Sequence, residues 1–193
     1  PEAARAAAWG AAVELYRAAP ASPRATLPLG DLLRRHGMTE VMPLVLADGL
    51  GEGTRARDLG GALALLLDAI AEEGQAGRMD VARDTFLAAS PILARAERAS
   101  ATHELRPSPA RLHFVMAALE AREAEVARAH RHVRDALRIA PEDLDALGLL
   151  AGLERQRRDE RAALDALGRA TRIAERTRRD ADLAATLLAS FEI

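Results

Sequence analysis

The sequence predicts an all-α protein. Ala, Leu, Arg and Glu, all good helix formers, dominate it, while β-branched residues are sparse. Its apolar residues recur at 3- and 4-residue spacing between Pro and Gly breaks, a helical period and not the alternation of a strand. Hydrophobic residues make up 49% of the 193, so a core can form. Aromatics are only 3% (Trp9, Tyr16, Phe86, Phe114 and Phe191), so that core is built from aliphatic side chains.

The first helix is expected over residues 2–18, with Trp9, Ala12, Val13 and Tyr16 on one face and Pro20 and Pro23 ending it. A short helix at residues 31–36 stops at Gly37. Thr39 is placed to cap another at 40–48, with Pro43 in its early turns, and Gly49, Gly51 and Gly53 read as a flexible break. Helices follow at 55–73 and 79–89. Ser90-Pro91 reads as a cap and first position for a turn or two more, through Ala99. Residues 101–107 read as a linker, and Ser108-Pro109 opens a helix at 110–122. The remaining helices fall at 125–140, 142–157, 159–176 and 180–191.

Three stretches share one arrangement of apolar slots. From Leu63, the first helix offers Leu66, Ala69, Ile70 and Glu73, and after a turn at Gly77 the second offers Ala82, Phe86 and Ala89. From Ala110 come His113, Met116, Ala117 and Glu120, then Ala129, Val133 and Ala136, closing on Pro141. From Leu144 come Leu147, Leu150, Ala151 and Glu154, then Ala163, Leu167 and Ala170. The last two copies lie one 34-residue period apart. Small Ala slots allow two helices to cross closely, and large slots fill the gaps between them.

This pattern resembles the tetratricopeptide repeat (TPR) family over roughly residues 63–193. The likeness is divergent: Glu120 and Glu154 stand at the Tyr slot, and His113 and Leu147 at the Trp slot. A generic antiparallel helical array with the same Ala and Leu spacing is the alternative. The resemblance implies antiparallel helix-turn-helix pairs stacked as a short right-handed superhelix, beside a less regular helical N-terminal part. It divides the chain into an N-terminal helical segment at 1–53, a helical pair with an extra turn at 54–100, a linker at 101–109, and repeats with a terminal single helix at 110–193.

In TPR proteins the first helices of successive pairs line a concave groove. Carried over by slot, the resemblance implies a groove of Leu67, Ala71, Arg111, Phe114, Ala118, Arg122, Asp145, Gly148, Gly152, Arg155, Arg179 and Asp182. Phe114 is its apolar anchor and Arg111 the cation beside it. Gly148 and Gly152 read either as a shallow channel for a partner or as a place of close helix packing. The Lys/Asn clamp that some members use for a carboxylate terminus is absent, since the chain has neither residue; Arg111 or Arg179 would substitute.

The function implied is a protein-protein interaction module or scaffold that binds a partner peptide or helix. The alternative is a helical regulatory domain that binds nucleic acid or an acidic ligand through Arg155, Arg157 and Arg158 and Arg176, Arg178 and Arg179. A net charge of −2, with Asp159, Glu160 and Asp180 beside those runs, argues against nucleic acid. No apolar run is long enough to span a bilayer, so no membrane insertion is expected. The exclusive use of Arg over Lys fits a high-GC bacterial genome, and no signal peptide is visible, so a cytoplasmic protein is expected. A chain opening on Pro1 fits either loss of an initiator Met or a fragment, and both stay open.

With no Cys, no thiolate site exists. His130 and His132, two apart on one helix, point to different sides, and His113 sits in a core slot. No H-E-x-x-H, G-x-S-x-G or phosphate-loop motif occurs, so no catalytic, cofactor or metal site is expected. The final helix carries Leu183, Ala184, Leu187, Leu188 and Phe191, which either face inward as a cap or form a homodimer contact.

Overall fold

The computed structural model describes residues 23–177, together with Gly10 and Glu14. The expected first helix, the final helix and its dimer contact, Arg179 and Asp182 lie outside the described residues. Among those described, there are nine helices and no strand: α1 (Pro23–Arg35), α2 (Met42–Gly49), α3 (Ala56–Gln75), α4 (Met79–Ala88), α5 (Ser90–Ser100), α6 (Pro109–Arg122), α7 (Val126–Ile139), α8 (Leu144–Gln156) and α9 (Glu160–Thr177). No helix among the described residues is long and apolar enough to cross a membrane. The chain divides into two compact units, Pro1–Leu112 and His113–Ile193.

In the first unit, α1 packs on α2 and α3, and α3 packs on α4 and α5. Helix α1 starts eight residues earlier than its sequence pattern suggested. Pro23 opens it, where a missing N–H costs nothing, and the buried stripe Thr26, Leu29, Gly30 and Leu33 carries it through Pro28. Thr39 does not cap α2. Val41 precedes that helix without a side-chain cap, and the Thr39 hydroxyl instead donates to Glu73 Oε1 at 3.0 Å. Gly49 is not part of a loose break: it ends α2, and a Cβ there would overlap the Thr26 side chain of α1. Ser90 is likewise no N-cap, since its hydroxyl donates to Leu87 O at 2.6 Å. The expected linker holds no helix, yet Leu105 within it is buried.

In the second unit, one core gathers Ala117 of α6, Ala129, Val133 and Ala136 of α7, Leu144 and Leu147 of α8, and Ala170 and Ala174 of α9. Asp143 caps α8 by accepting from Ala146 N–H at 3.1 Å, and Asp159 accepts from Ala162 N–H at 3.0 Å at the start of α9. Helix α8 is buried on almost every side, from Leu144 through Glu154. That accounts for its nearly continuous apolar sequence.

The same turn recurs four times. At the ends of α1, α3, α6 and α8, the carbonyls of Leu33, Glu73, Glu120 and Glu154 accept from the N–H groups of Met38, Arg78, Glu125 and Asp159. In each turn the residue before that donor is left-handed: Gly37 (φ 67°), Gly77 (φ 74°), Ala124 (φ 58°) and Arg158 (φ 63°). This is the Schellman closure of a helix, for which Gly is the unstrained residue. Opposite effects are therefore expected at equivalent positions. Gly77→Ala should lower, and Ala124→Gly should raise, the unfolding free energy by about 1 kcal/mol each. Urea unfolding of the two variants beside the wild type measures both signs.

Candidate functional site

The Glu residues at the expected Tyr slots, Glu73, Glu120 and Glu154, are all buried. Each sits in the last turns of a helix, α3, α6 or α8, next to where the chain reverses. Glu73 accepts from Thr39 and from Arg78 Nε. Glu154 accepts from Arg157 Nη1 at 2.9 Å and lies 2.7 Å from His130 Nε2. Arg157 Nη1 also lies 3.0 Å from that His130 nitrogen, so the carboxylate, the guanidinium and the imidazole form one three-way contact.

Glu120 takes a different neighbour. His130 and His132 leave α7 on different sides: His130 reaches Glu154 on α8, and His132 turns toward α6, its Nε2 3.6 Å from Glu120 Oε2. His113, also on α6, places its ring centroid 6.0 Å from that of His132 at a tilt of 40°. Asp135, one turn beyond His132, completes the group. One donor atom from each of His113, His132 and Asp135 lies within 4.8 Å of the other two.

The cluster is largely withdrawn from water. The His132 side chain is 22% exposed and Glu120 only 2%. Burial pushes the His132 imidazole below its ordinary pKa; Glu120 and Asp135 pull it upward, while His113 and Arg131 push it further down. A neutral imidazole is the form that donates a lone pair to a metal. Two imidazoles and one or two carboxylates are the donor set expected of zinc and its neighbours. Motif reading misses this group because its members lie on two helices and match no short spacing.

The groove residues are only partly brought together. Phe114 and Ala118 are half-buried against the core of the second unit, and Arg122, Asp145 and Arg155 of the same unit are exposed. Gly148 and Gly152 are buried on α8, which favours close packing over an open channel. In the first unit, Leu67 is half-buried and Arg111 exposed. Two of the guanidiniums proposed to face an anion have acidic partners instead: Arg157 with Glu154, and Arg176 with Glu142 at 2.6 Å.

Comparison with models of known protein families, with curated proteins and with solved structures finds no match to this chain.

Proposed function

We propose that the chain is a TPR-like interaction module, in which first-of-pair helices present a surface to a partner peptide or helix. The observation that carries this reading is the fourfold recurrence of one helix-turn-helix closure, at Leu33, Glu73, Glu120 and Glu154. Repeats of one supersecondary unit supply a surface built from equivalent positions, which is the use such arrays serve. The pairing of Arg157 and Arg176 with carboxylates supports this reading over an anion-binding domain, because a paired guanidinium has less to offer a phosphate.

On α6 the binding face is expected to run through Phe114 and Ala118, one turn apart, with Arg122 beyond them. Phe114 is half-buried, so part of its ring remains available to a partner. Truncating it should weaken binding by about 2 kcal/mol or more, as at an aromatic hot spot. The measurement is the calorimetric affinity of wild type and Phe114→Ala for a partner isolated on the full chain. Equal affinities, with both proteins folded, remove α6 from the binding face.

A further inference from the structure

We propose that His113, His132 and Asp135 bind a divalent transition-metal ion of the zinc class, with Glu120 as the carboxylate that positions the His132 ring. This inference does not depend on the interaction reading above, since it concerns the inside of one helical hairpin and not its outer face.

Three features carry it. The first is convergence: three donor atoms from two helices stand within 4.8 Å of one another. Tetrahedral bonds of about 2.0–2.1 Å place ligand atoms roughly 3.3 Å apart, so the side chains must close in by no more than roughly 1.5 Å. Rotation about the χ angles of His and Asp covers that without moving a helix. The second is donor chemistry. With no Cys in the chain, a site here must use nitrogen and oxygen, and a His2Asp set suits zinc with a water at the fourth position. The two carboxylates, Asp135 and Glu120, balance the charge of a dication in a place with little solvent.

The third feature is the support around the ligands. A ligating imidazole normally passes its other ring N–H to a carboxylate, which fixes its orientation. Glu120 Oε2 stands 3.6 Å from His132 Nε2 and is itself buried, so it is placed for that part. The hairpin is closed at its turn by the Glu120 carbonyl accepting from Glu125 N–H, and Ala117, Ala129 and Val133 of its two helices are buried in one core. A bound ion would join α6 to α7 at a third point, farther from the turn.

Titration of the full chain with zinc chloride in a non-chelating buffer tests this. Calorimetry should give one equivalent bound, and the unfolding temperature should rise with free metal, as it does for any ligand selective for the native state. His132→Ala and Asp135→Asn should each lower the affinity at least about tenfold, and Glu120→Gln about tenfold with the one-to-one ratio kept. His130→Ala, whose imidazole serves Glu154 on the other side of α7, should bind as the wild type does. Circular dichroism checks that each variant is folded; Asp135→Asn, at a half-buried position, keeps the test available if His132→Ala is not. Absence of a one-to-one complex overturns the proposal. So does zinc binding that survives both ligand substitutions, or that falls equally in His130→Ala.

Discussion

Replacing Glu154 with Ala should lower the unfolding free energy by about 2 kcal/mol, the order of the cost of leaving a buried hydrogen-bonding partner unsatisfied. The Glu154 carboxylate serves two groups at once, His130 at 2.7 Å and Arg157 at 2.9 Å. Arg157 is about half exposed and regains water when its partner leaves; His130 is only 12% exposed and does not. The loss therefore falls mainly on the imidazole, which keeps only Arg157 Nη1, 3.0 Å from its Nε2, as a neighbour. Glu154→Gln retains an acceptor and most of the volume, and should cost less. The cycle Glu154→Ala, His130→Ala and the double variant, followed by urea unfolding, separates the pair from the cavity. A coupling near zero would mean that Glu154 acts by packing alone.

The helices were legible because their causes are local. Apolar spacing and Gly or Pro punctuation located α3 through α9 to within a few residues. The small slots Ala82, Ala89, Ala129, Ala136, Ala163 and Ala170 are all buried, as their crossing role requires, while the large slots Leu150 and Leu167 are only half-buried. Local reasoning failed where a distant group competed. Thr39 has a cap residue's chemistry and sits before a helix, but the buried Glu73 carboxylate takes its hydroxyl. The short helix expected at residues 31–36 begins at Pro23 instead, because the buried stripe of α1 outweighs the one hydrogen bond missing at Pro28. Gly49 read as flexible because the sequence does not reveal that Thr26 would fill the space of its Cβ.

The metal-type cluster escaped for a geometric reason. In an antiparallel hairpin, residues equally far before and after the turn face each other. His113 stands as many residues before Ala124 as Asp135 stands after it, and one turn separates Asp135 from His132. Once the turn is fixed at Ala124, that reflection brings the three together. Before the turn is known, the spacings look unrelated, and His113 reads only as a polar occupant of an aromatic slot. The three Glu at the Tyr slots were a second signal: a carboxylate repeated at a core position needs partners, and each of them has gathered its own.

Gly148→Leu should lower stability by about 2 kcal/mol. Two effects oppose each other here. Leu is the better helix former by up to about 1 kcal/mol, so at an exposed site the substitution would stabilise. Gly148 is buried, however, and Leu147, Leu149, Ala151 and Leu153 of the same helix are buried with it, so four more carbons there have to displace packed neighbours. Overpacking of that kind costs about 1–3 kcal/mol beyond any gain in propensity. Gly148→Ala separates the terms, since a single methyl tests whether any room exists; its effect should lie between those of Gly and Leu. Thermal unfolding of the three proteins measures the order. A Gly148→Leu protein as stable as the wild type or more so would mean that α8 keeps an open face at this position, and would return Gly148 and Gly152 to the binding surface.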